Sequence, residues 1–302
     1  MNSKPLAATG VNLPEIGLGT WDYHGGIEPL RAGFDLGATF VDTAESYESE
    51  PVVGQAVRGM RERVFVASKV SAEHFRAADV RRALDASLLR LGLDHLDLYQ
   101  LHQPNSAVPI AETMGAMEDL VDAGKIRFIG VSNFSVAQLK TVRQALRKHP
   151  LVTNQVRYNL ADRTIESELL PFSQAQGITV IAYSPLSREL QRIHDCDPEG
   201  ALTEIARATG KTPAQVALNW CLCQDGVVVI PKGNSVAHVR ENCGASGWRL
   251  TPGQKQLLDE KIQFRRRSAS EMALRSIVPR GLAPLVKRSL GLLPRGLRRR
   301  VR

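Results

Sequence analysis

Over most of its length the sequence alternates between two kinds of segment. Short apolar runs rich in β-branched residues predict buried strands, and the longer segments between them carry apolar residues three and four positions apart, the spacing of a helix that buries one face. The predicted strands are residues 16–20, 39–42, 64–69, 96–102, 126–131, 152–155, 179–183 and 227–231, and the clearest helices are residues 77–91, 110–123, 136–148 and 213–223. Eight such units without a linker rich in proline or glycine predict an α/β protein with a (β/α)8 TIM barrel over residues 1–264, in preference to an open doubly wound sheet.

Polar residues collect where the predicted strands end. The C-terminal ends of parallel barrel strands open onto one face, and catalytic groups lie there in barrel enzymes. The residues at these ends are Asp42, Lys69, His102, Ser132, Asn133, Gln155, Tyr183 and Lys232. The glycine fingerprint of a Rossmann domain is missing, because Gly17-Leu18-Gly19 is not followed by the third glycine. These observations favour chemistry at the open end of a barrel.

Four residues near these ends together form a device for delivering a proton. An ordinary phenol, with a pKa of about 10, is too weak an acid for efficient catalysis at neutral pH. A lysine ammonium about 4 Å away stabilises a phenolate by about 4 kcal/mol, so Lys69 beside Tyr47 would bring the pKa of that phenol towards neutrality. We expect Asp42 to keep Lys69 charged and a neutral His102 to hydrogen-bond the substrate oxygen. Taken singly, each residue has a structural reading as a cap, a solvated strand end or a packing residue.

Longer motifs follow one another in a fixed order along the chain. They are GLGTW, DTAESY, ASK, DLYQLHQP, GKIRFIGVSNF, NQVRYN, AYSPL and IPKGNSVAHVREN. Their order and spacing, over about residues 11–263, resemble the aldo-keto reductase family. The resemblance implies a barrel whose catalytic tetrad is Asp42, Tyr47, Lys69 and His102. It also implies an oxidoreductase that reduces an aldehyde or ketone to the alcohol, with hydride from NAD(P)H and a proton from Tyr47.

The resemblance further implies contacts to the cofactor along the open end of the barrel. Ser132, Asn133 and Gln155 match the residues that hold the nicotinamide carboxamide, and Tyr183 matches the ring that stacks on the nicotinamide. The residues that match the pyrophosphate and adenosine contacts are Ser184, Pro185, Leu186, Lys232, Ser235, His238, Glu241 and Asn242. Ordinary helix capping is an alternative reading for Ser132 with Asn133, and an ordinary helix end for the last two residues of that list.

Two departures from the family pattern affect specificity. Many members that prefer NADPH place Ser and Arg where this chain has Gly233 and His238, and a histidine replaces a permanent charge poorly at a 2′-phosphate. Lys232 and Ser235 still favour NADPH, with NADH as a second cofactor. Gln103 stands where many members have an aromatic residue, so the shape of the substrate pocket is open.

The substrate pocket has two further candidates in the first strand–helix loop. Trp21 and Tyr23 follow the first predicted strand, where barrel enzymes bind substrate, although surface packing explains them equally well. Gln103 completes the predicted pocket. The substrate is expected to be a small carbonyl compound, and the sequence does not identify it.

Composition restricts the remaining possibilities. The cysteines Cys196, Cys221, Cys223 and Cys243 form no CxxC pair and no ligand cluster with histidine, so no metal site is expected. The first ten residues lack the features of a secretion signal, and no apolar run reaches the roughly 18 residues of a membrane span. We therefore expect a cytoplasmic protein. We also expect its catalytic unit to be a monomer.

The positive charge of the chain is concentrated at its C-terminal end. The formal net charge is +8, but residues 265–302 alone carry +11, which leaves −3 for residues 1–264. We expect a basic C-terminal tail that is disordered or forms short amphipathic helices, because its prolines interrupt a long helix. No nucleic-acid partner is expected, and contact with an anionic membrane surface or partner is the weaker alternative to a solvated tail.

One alternative function belongs to a different class. Relatives of this family can serve as cofactor-binding regulatory or docking subunits of larger assemblies, and the basic tail could mediate such docking. Turnover distinguishes the two functions, and the intact tetrad favours the enzyme.

Overall fold

A computed structural model describes residues 1–266 of the chain. Within this part, eight parallel strands follow one another in chain order after the two short strands β1 (Ser3–Pro5) and β2 (Asn12–Pro14). The strands are β3 (Leu18–Gly19), β4 (Phe40–Asp42), β5 (Phe65–Val70), β6 (Leu96–Leu101), β7 (Ile126–Ser132), β8 (Leu151–Arg157), β9 (Thr179–Tyr183) and β10 (Val227–Ile230). The predicted strands are thus confirmed to within two residues at each end. The predicted basic tail lies outside the described residues apart from Arg265 and Arg266, and stays a prediction.

The first and last strands meet and close the sheet into a barrel. Ile16, just before β3, forms a parallel bridge to Val229 of β10. The backbone N–H of Gly17 donates to the Val229 carbonyl at 2.8 Å, and the Val229 N–H donates to the Glu15 carbonyl at 2.9 Å. The fold is therefore the predicted (β/α)8 barrel.

Helices lie between the strands and after β10. They are α1 (Ile27–Asp35), α2 (Glu50–Val57), α3 (Ala77–Leu91), α4 (Ile110–Asp122), α5 (Val136–Ala145), α6 (Leu169–Ala175), α7 (Gln191–His194), α8 (Ala201–Thr209), α9 (Pro213–Leu222), α10 (Val236–Cys243) and α11 (Pro252–Lys261). Three begin with a capping box in which a Ser or Thr and a Gln three residues later satisfy each other's backbone N–H groups: α5, α9 and α11. The four predicted helices are confirmed, with α5 ending at Ala145 rather than near residue 148.

An N-terminal hairpin, which the sequence did not predict, precedes the barrel. It pairs β1 (Ser3–Pro5) with β2 (Asn12–Pro14) in antiparallel order. Leu6 and Leu13 are buried in one apolar cluster with residues of the barrel strands. Strands of three residues that end in proline show no clear period of two, which explains why the pattern was missed.

Inward positions of the strands change from apolar to polar towards the open end of the barrel. Side chains two residues apart on a strand point to the same face. The pairs are Phe40 and Asp42 on β4, Ala67 and Lys69 on β5, and Leu98 and Gln100 on β6. The apolar member of each pair belongs to the cluster that includes the hairpin leucines. The polar members therefore lie together in the next layer of inward side chains, nearer to the open end of the barrel.

Two properties of residues 1–266 bear on other function classes. No helix in this part of the chain is long and apolar enough to cross a membrane. The same residues contain no group of three or more His, Cys, Asp or Glu side chains placed to hold a metal ion.

Candidate active site

A buried ion pair lies at the C-terminal ends of β4 and β5. The Lys69 Nζ donates to Asp42 Oδ2 at 2.6 Å and to the Thr43 carbonyl at 2.8 Å. The exposed fraction is 0% for the Lys69 side chain and 2% for the Asp42 side chain. Neither charge would persist at this depth without the other, because removing one partner leaves an uncompensated charge out of water.

Two glutamine amides stabilise the second carboxylate oxygen of Asp42. Asp42 Oδ1 accepts hydrogen bonds from Gln155 Nε2 at 2.7 Å and from Gln100 Nε2 at 3.3 Å. The sequence predicted Gln155 as a cofactor contact, and the structure shows that its amide nitrogen also supports the tetrad. Gln100 was not predicted. Its signal is a fully buried amide on the strand face whose other members, Leu96 and Leu98, are apolar.

Tyr47 reaches this pair from a short turn after β4. A 3-10 helix spans Glu45–Tyr47 and is closed by a hydrogen bond from the Tyr47 N–H to the Ala44 carbonyl at 3.0 Å. The Lys69 Nζ lies 4.8 Å from the centre of the Tyr47 ring. The Tyr47 hydroxyl is 3.2 Å from His102 Nε2, and the two rings meet edge to face with centroids 5.3 Å apart. The four predicted tetrad residues thus come together.

Lys69 keeps its charge despite complete burial. Burial by itself lowers the pKa of the ammonium, but the charges and hydrogen bonds of Asp42 and Tyr47 raise it, and the resulting pKa lies above that of ordinary lysine. Lys69 is therefore a cation throughout the physiological pH range. A fixed positive charge beside a phenol favours the phenolate form and makes the phenol a better proton donor.

His102 is held by its backbone at the end of β6. Its N–H donates to the Val70 carbonyl at 3.0 Å, and its carbonyl accepts a hydrogen bond from Asn133 Nδ2 at 3.1 Å. The ring is nearly buried, with Nε2 directed at the Tyr47 hydroxyl. This geometry places two groups that can exchange a proton or hydrogen bond, a phenol and an imidazole, side by side.

A cluster of polar residues adjoins the tetrad at the ends of β7, β8 and β9. This cluster, called the shelf, consists of Ser132, Asn133, Gln155 and Tyr183. Asn133 has a φ of 65°, in the left-handed region that asparagine tolerates, and its N–H donates to the Gln155 carbonyl at 2.9 Å. Its side chain accepts from the Tyr183 hydroxyl at 3.0 Å and donates to Ser132 Oγ at 3.0 Å. The structure therefore brings the four residues predicted around the nicotinamide into one connected group.

The predicted pyrophosphate residues lie on the loop after β9. Ser184 has a φ of 48°, and its carbonyl accepts a hydrogen bond from Asn159 Nδ2 at 2.9 Å. Pro185 is buried, and Leu186 packs against the main core. The loop is thereby tied to the barrel next to the shelf.

The predicted adenosine residues lie at β10 and α10. Ser235 caps α10 by accepting from the His238 N–H at 3.2 Å. Asn242 Nδ2 donates to the Lys232 carbonyl at 3.4 Å, and the Glu241 carbonyl accepts from Gln215. Lys232 stands just before the N-terminus of this helix. A cation next to a helix N-terminus is a suitable environment for a phosphate group.

The three predicted pocket residues differ in exposure. Trp21 is 42% exposed at the open end of the barrel, and Gln103 is exposed after His102. Tyr23 is buried in the main core, its hydroxyl donates to the Gly26 carbonyl at 2.8 Å, and burial raises its pKa to about 12. Tyr23 thus supports the loop that carries Trp21, and its place in the pocket stays a prediction.

Comparisons with known proteins give a consistent result. The aldo/keto reductase family model matches residues 15–263. Methylglyoxal reductase YeaE of Escherichia coli is 40% identical over 272 residues, which covers 86% of this chain and 95% of that protein. The 2,5-diketo-D-gluconic acid reductase B of a Corynebacterium species is 37% identical over 246 residues, covering 80% and 86%. A crystal structure of an aldo-keto reductase from Klebsiella pneumoniae in complex with NADPH matches with a TM-score of 0.80 at 39% identity, covering 88% of this chain and 98% of that one.

Proposed function

The chain belongs to the aldo/keto reductase family and reduces carbonyl compounds with a nicotinamide cofactor, and we propose that NADPH is its preferred hydride donor and Tyr47 its proton donor. The observation that carries the assignment of Tyr47 is its position over the Lys69 ammonium, which is itself held by Asp42. A phenol, a buried cation and its carboxylate have no structural need to meet at the open end of a barrel. In the proposed mechanism, this arrangement lowers the pKa of the Tyr47 phenol and places it where a substrate can reach it.

The residues around the tetrad fit a nicotinamide cofactor. Ser132, Asn133 and Gln155 offer the hydroxyl and amide groups that a carboxamide would hydrogen-bond, and the half-exposed Tyr183 ring offers a face for stacking. When bound, the reduced nicotinamide supplies the hydride. Lys232 and the N-terminus of α10 would hold the 2′-phosphate, which supports the preference for NADPH.

The chain's own groups account for the proton. The Tyr47 hydroxyl donates its proton to the substrate oxygen, and the Lys69 ammonium stabilises the phenolate that is left. Asp42 keeps the ammonium in place, and the glutamine amides hold the Asp42 carboxylate in its orientation. His102 Nε2 directs the substrate oxygen towards Tyr47, since it already lies at hydrogen-bond distance from that hydroxyl.

We propose a small aldehyde or dicarbonyl compound as the substrate class. The similarity to a methylglyoxal reductase and to a diketogluconate reductase supports this choice. We further propose that the protein works as a monomer in the cytoplasm. All residues to which this proposal gives a role in the chemistry lie within residues 1–264.

Replacing Tyr47 by phenylalanine tests the proposed function. Tyr47→Phe removes the proton donor while keeping the ring over Lys69, so we expect kcat to fall by about 100- to 10,000-fold. The Kd for NADPH should change by less than about twofold, because the phenol is proposed to contact the substrate. The measurements are NADPH and NADH oxidation with a panel of aldehydes and dicarbonyl compounds, and NADPH titration of protein fluorescence.

Two outcomes would contradict the proposal. Undiminished turnover in Tyr47→Phe would show that Tyr47 is not the proton donor. A wild-type protein that binds NADPH but reduces no compound in the panel would support the cofactor-binding subunit instead.

A further inference from the structure

Lys232, the residue proposed to bind the 2′-phosphate, already has an acidic partner. Its Nζ donates to the Asp22 carboxylate at 3.0 Å and to the Asp22 backbone carbonyl at 2.7 Å. Asp22 follows β3, and Lys232 follows β10. These two strands are the ones that meet where the barrel closes, so the ion pair links the first loop of the open end to the last.

The first loop is held in the conformation that makes this contact. Asp22 has a φ of 53°, which lets its carbonyl and its carboxylate reach the same ammonium. The backbone N–H of His24 donates to Asn234 Oδ1 at 3.1 Å. A Cβ added at Gly25 would lie 2.8 Å from the Asn234 carbonyl oxygen, so the two loops approach as closely as glycine allows. The position of Asp22 therefore follows from loop packing as well as from the ion pair.

A phosphate at Lys232 would meet the Asp22 carboxylate. Two of the three ammonium protons already point at Asp22. The hydrogen bond and charge of Lys232 lower the pKa of the Asp22 carboxyl, so this group is an anion at neutral pH. A dianionic phosphate must share or displace it, and like charges at this distance repel. The uncharged 2′-hydroxyl of NADH has no such conflict.

We propose that Asp22 is a specificity-determining residue that weakens the preference for NADPH over NADH by competing with the 2′-phosphate for Lys232. The inference rests on the proposed function, since it takes Lys232 as the phosphate-binding cation. It gives a physical role to a carboxylate that takes no part in the carbonyl chemistry. It also adds to the effect of His238 and Gly233, which already leave the adenosine end with less fixed positive charge than an arginine would supply.

The substitution Asp22→Asn removes the charge and keeps the fold of the loop. Asparagine tolerates the left-handed backbone conformation at least as well as aspartate does. We expect the Kd for NADP+ to fall about fivefold and the Kd for NAD+ to stay within about twofold, as the release of a partly exposed ion pair implies. Isothermal titration of the purified full chain with each dinucleotide measures both constants without turnover.

Two further titrations isolate the cause. Adenosine 2′,5′-bisphosphate and 5′-AMP differ only in the 2′-phosphate, and only the first should bind more tightly to Asp22→Asn. The control is Asp119→Asn, which makes the same change in charge at an exposed carboxylate on helix α4, where Asp119 pairs with Arg81 of helix α3. It should leave all four affinities unchanged.

The outcomes separate the inference from the proposed function. If the wild type binds NADP+ but Asp22→Asn binds it no more tightly, or gains equally for NAD+, Asp22 does not compete for Lys232. If the wild type binds neither dinucleotide, the proposed function itself is wrong.

Discussion

Lys69 is the residue on which the proposed chemistry depends, because a fully buried ammonium must be compensated by groups that the fold supplies. Asp42 provides the charge, the Thr43 carbonyl accepts a second hydrogen bond, and Tyr47 adds to the stabilisation. The Asp42 carboxylate has the same requirement and meets it through the amides of Gln100 and Gln155. The tetrad is therefore part of a larger buried network, in which each hydrogen bond strengthens the next.

Gln100 should matter through its hydrogen bond to Asp42. Gln100→Leu removes one donor from a buried carboxylate, so we expect the free energy of unfolding to fall by about 2 kcal/mol and kcat to fall while KM changes little. Urea unfolding and steady-state kinetics measure the two effects. Gln256→Leu is the matched control, because Gln256 donates to Glu260 on an exposed helix and should change stability by less than about 0.5 kcal/mol. If Gln100→Leu has the same free energy of unfolding and the same kcat as the control, the Gln100 amide has no role.

At the scale of elements, β7 has a glycine where the barrel interior leaves no room for a side chain. A Cβ added at Gly130 would overlap Thr153 Oγ1 and would lie 2.8 Å from Gln100 Cγ. The space is taken by the layer of polar side chains that supports Asp42. The strand must therefore lack a side chain at this position for the neighbouring strands to provide their polar groups.

Gly130→Ala should disturb that layer. We expect a loss of about 1–3 kcal/mol in the free energy of unfolding, since the added methyl group overpacks the interior. The double variant Gly130→Ala/Thr153→Ala should recover part of this loss, because it removes the nearest atom. Gly115→Ala on α4, where a Cβ would meet nothing within 4 Å, should instead be neutral or stabilising. Chemical denaturation of the four proteins gives the comparison, and equal effects at Gly130 and Gly115 would contradict the steric explanation.

At the scale of the whole molecule, the order of strands and helices and the grouping of Asp42, Tyr47, Lys69 and His102 could be predicted, whereas the other contacts across the barrel could not. Apolar runs and helical spacing are local signals, and they located the eight barrel strands to within two residues. The hydrogen bond between Gln155 and Asp42 joins residues 113 positions apart and depends on barrel closure and strand register, which no local pattern encodes. The pairing of Lys232 with Asp22, 210 positions apart, could not be predicted from the sequence for the same reason.

The N-terminal hairpin gives the molecule a pH-dependent contribution to stability. Burial lowers the pKa of the Lys4 ammonium to about 8, while its Nζ donates to the carbonyls of Leu222 and Gln224 at the end of α9. Between pH 8 and the ordinary lysine value of 10.5, the unfolded chain binds more protons at Lys4 than the folded chain. The free-energy cost of burying the charged Lys4 ammonium therefore applies in full below pH 8. It decreases as the pH rises through this range, so the free energy of unfolding increases.

Lys4→Met should remove this dependence. Between about pH 7.5 and about pH 9.5, we expect the wild type to gain on the order of 1 kcal/mol in unfolding free energy relative to Lys4→Met. Urea unfolding of both proteins at the two pH values measures the difference between their unfolding free energies. The contributions of the other titrating groups cancel in this difference. A difference that is the same at both pH values would show that Lys4 is not desolvated.

The most direct test of the proton-delivery assignment is the titration of Tyr47 itself. Carbon-13 NMR of labelled tyrosine rings follows each of the five phenols separately. Burial raises the pKa of Tyr99, Tyr158 and Tyr23, so their signals should titrate above an ordinary phenol. We predict that one signal titrates below an ordinary phenol, is absent in Tyr47→Phe and moves to higher pH in Lys69→Met. A Tyr47 signal that titrates at or above the ordinary phenol value in the wild type would contradict the assignment.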